Sequence, residues 1–191
     1  MEGELHPSYH GKKPDEKQRF EIIVGAILTQ NTSWKNVEKA IFNLNKAKLL
    51  DIRKIRKADK RKLASVIRPS GYYNQKAKCL KLVAAFFAKN KHPSREQLLA
   101  VRGIGPETAD SILLYAFNKP LFVIDAYTKK IFSRIGICNE TCSYHELQEL
   151  CQKSLPKKAK LFQEYHALLV ELGKARRSQP LYYQQFCEKL L

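Results

Sequence analysis

The sequence predicts an all-α fold. Apolar residues recur at three-to-four spacing along most of the chain. Helix-capping residues stand ahead of many of the apolar runs. Asp15 with Gln18, Ser94 with Gln97 and Ser143 with Glu146 form the reciprocal pattern of a capping box. Only one run looks strand-like, Leu121-Phe122-Val123-Ile124. It is short and has no second run to pair with, so it reads as a buried connection.

The elements follow in order. Asp15 opens a helix whose apolar face is Phe20, Ile23, Val24, Ile27 and Leu28. Ser33 caps a second, carrying Val37, Ala40, Ile41 and Leu44. Asp59 caps a short helix that ends near Arg68-Pro69, because the residue before a proline is driven out of helical geometry. Asn74 starts a long helix through Ala77, Leu80, Val83, Ala84 and Phe87. Ser94 opens a helix that stops at Gly103, and Pro106 occupies the favoured first position of the next. Asp125 caps a helix containing Ile131, Phe132 and Ile135. Ser143 opens another, and Pro156 begins a final long helix ending at Gly173. No internal repeat or low-complexity linker interrupts this order.

A chain of 191 residues, 44% of them hydrophobic, can bury one core or two small ones. It contains no apolar run long enough to span a bilayer, and its first residues lack the apolar stretch of a secretory signal. The expected location is intracellular, in the cytoplasm or nucleoid. Lys and Arg number 35 against 18 Asp and Glu, a net charge of +17 spread over most of the chain. Such a surface favours polyanions, nucleic acid before an acidic membrane. No helix sets an extended apolar face against a lysine-rich one, so a membrane partner is not expected. The five cysteines, at 79, 138, 142, 151 and 187, contain no CxxC pair. Cys138 and Cys142 have a metal-like spacing without a matched second pair, so all five read as reduced thiols.

The most informative segment is LLAVRGIGPETADSILLYAF, residues 98 to 117. A helix ends, Gly103-Ile104-Gly105 turns the chain, and a second helix starts at Pro106. Glycines permit positive φ and keep side chains off the outer surface of the turn, so backbone N–H groups can approach a phosphate. Ile104 is expected to point inward as an apolar plug. Asp125 follows Glu107 by 18 residues. Alone, Asp125 is a helix cap. Beside a DNA-binding hairpin, its carboxylate can stabilise an oxocarbenium-like sugar or activate water.

Four blocks, FEIIVGAILTQNTSWKNVEKA, IRPSGYYNQKAKCL, VRGIGPETADSILLYA and VIDAYTKKIFSRIG, resemble the helix-hairpin-helix DNA glycosylases typified by endonuclease III, over about residues 20 to 136. EYHALLVELGK extends the likeness. The resemblance implies a two-lobed helical fold with DNA across it. One lobe is expected over 20–128, with the hairpin, and the other over 1–19 plus 129–191. It implies Asp125 as the catalytic carboxylate and Gln30 and Tyr72 as the residues that fill and wedge the base stack. Gly103, Ile104, Gly105 and Lys129 are then expected to bind DNA. Phe20 and Tyr127, with His6 and Tyr9 behind them, are candidates to line a base pocket.

Two departures from the superfamily matter. Bifunctional members carry a lysine after the hairpin that forms a Schiff base with the sugar; here that position is Glu107. Many members hold an iron–sulfur cluster on four cysteines near the C-terminus; after Gly173 this chain offers Cys187 alone. No cofactor is expected, and a monovalent cation at the hairpin is the single ion retained as a candidate. Within the superfamily the motifs are most similar to the 3-methyladenine DNA glycosylase III branch. The Trp- and Pro-containing N-terminal segment common there is replaced by HPSYHGKKPDEK, and the only tryptophan is Trp34. The expected function is therefore a monomeric, monofunctional glycosylase acting on double-stranded DNA that contains a damaged base. An alkylated purine such as 3-methyladenine is the leading substrate. Glycosylases for mismatched uracil or thymine or for oxidised bases are the alternatives, as is a non-catalytic hairpin module.

Overall fold

Residues 14–139 and 141–189 are described by a computed structural model, and no strand occurs among them. His6 and Tyr9 lie outside the described residues. The described chain divides into two compact units, 14–117 and 118–189. The sequence reading instead draws its boundary at 128 and assigns 14–19 to the other lobe.

The first unit is built around α1 (Glu16–Leu28), which starts at a capping box: Gln18 N donates to Asp15 Oδ1 at 2.8 Å and Asp15 N to Gln18 Oε1 at 2.9 Å. Phe20, Ile22, Ile23, Val24, Ile27 and Leu28 are all buried, so this helix is apolar over much more than one stripe. It packs against α2 (Trp34–Lys46), α5 (Tyr73–Phe87), α7 (Pro106–Ser111) and the wide π turn Ile112–Ala116 that continues α7. Between α2 and α5 lie α3 (Ile52–Lys57), α4 (Lys60–Val66) and a 3-10 turn, Arg68–Ser70. Asp51 and Asp59 cap α3 and α4, and each presents its apolar residues to α5. α6 (Arg95–Leu99) opens on the Ser94–Gln97 box. Ser33 stands at the N-cap of α2, but its hydroxyl makes no capping bond.

The second unit holds α8 (Ala126–Arg134), α9 (Tyr144–Ser154), α10 (Ala159–Ser178) and α11 (Pro180–Glu188). Residues 121–124 form no strand. The backbone of Phe122 is paired with side chains of α9: Phe122 N donates to Gln152 Oε1 at 3.2 Å, and Gln148 Nε2 donates to Phe122 O at 2.7 Å. The Phe122 ring is fully buried and packs edge-on to Phe162, with centroids 5.3 Å apart.

Three sequence expectations are corrected. The long helix begins at Tyr73 rather than Asn74, because Tyr72 already occupies the cap. Pro156 does not open the last long helix: Leu155 before it is extended, as a pre-proline residue tends to be, and the helix starts at Ala159. Gly173 does not end it. The helix continues to Ser178, and α11, absent from the sequence reading together with α3, follows.

Candidate active site

In the first unit, the hairpin is the turn between α6 and α7. Gly103 has φ +96°, and a Cβ there would stand 2.9 Å from Cys79 Sγ, so both the conformation and the space require glycine. Gly105 differs: its backbone is extended, and a Cβ would meet nothing within 4 Å. Its missing side chain leaves open surface rather than permitting a turn. Ile104 is buried between them, as expected of a plug. Pro106 takes the first position of α7, and Glu107 is exposed in its first turn.

An ion pair braces this motif. Asp110, fully buried on α7, accepts from Arg95 on α6 through two parallel bonds, Nε to Oδ1 at 2.6 Å and an Nη to Oδ2 at 3.0 Å. This planar two-point geometry favours arginine over lysine.

Gln30 is tied to the same hairpin. Its Nε2 donates to Gly103 O at 3.1 Å and to Thr108 Oγ1 at 3.0 Å, so both amide protons are used on the turn and the first turn of α7. Tyr72 sits at the cap of α5 with φ +43°, directly after Gly71 with φ +66°. A left-handed conformation costs a bulky residue about 1–2 kcal/mol, and here it leaves the ring 64% exposed. That exposure rules out a core role for Tyr72. Phe20, in contrast, is buried in the α1 core.

In the second unit, Asp125 is the N-cap of α8. Its Oδ1 accepts from Thr128 N and from Thr128 Oγ1, both at 2.7 Å. The carboxylate is thereby locked in one rotamer. The other oxygen, Oδ2, lies 3.8 Å from His166 Nε2, and each side chain is only 13% exposed. Burial pushes the His166 imidazole below its usual range, with Asp125 pulling the other way, so it is neutral at neutral pH. Tyr127, half-buried, lies against α10 at Gly173, where a Cβ would come within 2.2 Å of its Cδ1. Lys129 Nζ donates to Cys142 O at 3.1 Å, so it anchors the loop before α9, whereas Lys130 is exposed.

His166 and Lys76 are the functional candidates that the sequence reading missed. Both carried a signal. His166 falls on the apolar stripe Phe162, Leu169, Val170, Gly173 of α10, and Lys76 on the stripe Leu80, Val83, Phe87 of α5. A polar residue on an apolar stripe is either paired in the core or functional.

The residues present do not fit an iron–sulfur cluster. Cys187 is the only cysteine after Gly173, and it is buried on α11. Among the described residues, no three or more His, Cys, Asp or Glu side chains are grouped to hold a metal ion.

Comparison with known proteins agrees with this geometry. Residues 24–157 match the HhH-GPD superfamily of base excision DNA repair proteins. A Methanocaldococcus jannaschii protein provisionally named a DNA repair glycosylase is 51% identical over 166 residues, covering 80% of this chain and 76% of its own. Endonuclease III of Thermotoga maritima is 28% identical over 167 residues, covering 83% and 75%. The structure of H. pylori 3-methyladenine DNA glycosylase bound to 1,N6-ethenoadenine superposes with a TM-score of 0.74 at 34% identity, covering 82% of this chain and 85% of that one. An endonuclease III–DNA complex shares the fold, with a TM-score of 0.76 at 22% identity over 91% of this chain and 81% of that one. The chain therefore belongs to the HhH-GPD superfamily of base excision DNA repair proteins.

Proposed function

We propose that this protein is a monofunctional DNA glycosylase that flips a damaged base, an alkylated purine such as 3-methyladenine, out of double-stranded DNA and releases it by hydrolysis. The observation that carries the reading is the Asp125 carboxylate, one oxygen fixed by two bonds to Thr128 and the other free of that cap and turned toward His166. An aspartate serving only as a cap has no need of a second oxygen turned toward a buried imidazole.

Each residue then has a task. The open surface at Gly105 lets a phosphate approach the backbone of the hairpin. Tyr72, exposed, wedges the stack, and Gln30 fills the gap left by the extruded base. N-alkylation makes the base cationic, so the bond between C1′ and the base nitrogen breaks with its electron pair going to the base. Asp125 stabilises the sugar cation that remains. Water then forms the new C1′–O bond and releases its proton. Glu107 has no amine, so the imine chemistry of bifunctional relatives has no nucleophile at that position.

The test is a panel of duplexes, each with one lesion, scored for free base and then for strand breaks after alkali, with borohydride added in a parallel set. The proposal expects release of an alkylated purine, an intact abasic strand and no trapped protein–DNA adduct. Strand cleavage before alkali together with a stoichiometric adduct overturns the monofunctional assignment. No base release from any lesion leaves the reading of a non-catalytic hairpin module.

A further inference from the structure

Lys76 is the one buried lysine or arginine among the described residues, 3% exposed on α5. Its Nζ donates to Leu28 O at 2.8 Å and to Ser70 O at 2.6 Å. These two carbonyls have matching places in the chain. Leu28 is the last residue of α1, and Ser70 the last of the 3-10 turn. Both are ends where the regular backbone pattern leaves a carbonyl without its usual donor. Each stands two residues ahead of a base-opening candidate, Leu28 before Gln30 and Ser70 before Tyr72. Both segments then turn through left-handed backbone, at Asn31 with φ +53° and at Gly71 and Tyr72.

We infer that Lys76 is a positioning residue for base flipping: one buried ammonium ties together the two loops that carry Gln30 and Tyr72 and fixes their separation. The inference rests on the glycosylase reading above and on the roles given there to those two side chains. Burying an ammonium is costly, and an apolar side chain of the same length would serve the core at least as well. The charge is therefore placed for what it holds. Three tetrahedral donors on a long stem can reach two carbonyls from different loops, which no other residue of α5 does with its side chain. The hairpin holds the Gln30 side chain separately, through its amide to Gly103 O and Thr108 Oγ1, whereas Lys76 holds the backbone of the segment that leads into it.

The experiment compares the full-length wild type with Lys76→Met and Lys76→Arg. Four quantities are read: the denaturation midpoint, affinity for undamaged duplex, the fluorescence rise of 2-aminopurine opposite an abasic analogue in the saturated complex, and single-turnover base release. Lys76→Met is expected to keep duplex affinity and a wild-type denaturation midpoint. It should lose most of the fluorescence rise and slow release on the order of tenfold to a hundredfold, the scale of a displaced positioning element. Lys76→Arg, which keeps charge and donors, is expected to recover part of both. Should Lys76→Met fail to fold, Lys76→Arg carries the test through the altered spacing of the loops, with fluorescence and release reduced at unchanged duplex affinity. A full fluorescence rise and wild-type release in a folded Lys76→Met, or in Lys76→Arg when that variant carries the test, overturn the inference while leaving the glycosylase reading intact. No release and no fluorescence rise with the wild type itself overturn that reading, and this inference with it.

Discussion

Replacing Gly173 by alanine sets two effects of known size against each other. In the interior of an exposed helix, Gly→Ala stabilises by about 1 kcal/mol, because alanine loses less backbone entropy on folding. Gly173 is inside α10, yet a Cβ there would lie 2.2 Å from Tyr127 Cδ1, 2.6 Å from Cγ and 2.7 Å from Cβ. These atoms include the root of the tyrosine side chain, so no rotation of its far end relieves the clash. α8 or α10 must shift, at a cost of about 1–3 kcal/mol or more for a well-packed contact. The 2.7 Å approach to the tyrosine Cβ puts the cost at the upper end of that range, so the overlap is expected to win, with a net destabilisation of ~2 kcal/mol. Since Tyr127 lies two residues after Asp125, base release should fall as well. The decisive assay is denaturant unfolding of a four-member cycle. In a Tyr127→Gly background all three of those atoms are gone, so Gly173→Ala should there become stabilising by up to ~1 kcal/mol. A Gly173→Ala variant as stable as wild type, or the same sign in both backgrounds, refutes the packing argument.

Three further outcomes follow from the site. Arg95→Met removes the two-point partner of the fully buried Asp110 and should cost about 3–5 kcal/mol in denaturation; Arg95→Met with Asp110→Leu should regain much of that, and a silent single variant would show the pair to be idle. His166 titrates below its ordinary value through burial, so the unfolded chain takes up its proton first; wild-type stability should fall as pH drops through ~6.5 and be insensitive to this group above it, and a His166→Gln variant with an unchanged acid-side slope would contradict this. Gly105→Leu fills the open surface of the hairpin and should weaken all duplexes alike, with a shallower salt dependence, each lost phosphate contact lowering the slope by about 0.9; unchanged affinity would remove Gly105 from the DNA contact.

What the sequence made legible was mostly local. The Asp15, Ser94 and Ser143 capping boxes close within four residues, and all three are present. The buried Ile104 and the non-strand character of 121–124 were also readable, although the partners of that segment, Gln148 and Gln152, lie about thirty residues away. The misreadings are non-local or energetically small. Gly173 looks like a helix stop until Tyr127 is known to occupy its space. α3 carries few apolar residues between its cations, so its periodicity gives little signal. A tyrosine in left-handed geometry contradicts propensity, and nothing local announces it at Tyr72. At the site, Asp125, Gln30 and Tyr72 were named from motif resemblance. His166 and Lys76 depend on contacts separated by 41 and by 48 and 6 residues respectively, which the local pattern does not show.

The central claim is that the free oxygen of Asp125 drives base release. It is tested most directly by measuring release of labelled 3-methyladenine from alkylated duplex by wild type and by Asp125→Asn, with duplex affinity measured alongside. Asparagine keeps the oxygen that accepts from Thr128 and removes the charge. The account predicts unchanged or tighter binding and a fall in release on the order of a hundredfold to a thousandfold, the scale set by losing one fixed electrostatic group. Turnover by Asp125→Asn close to that of wild type would contradict it.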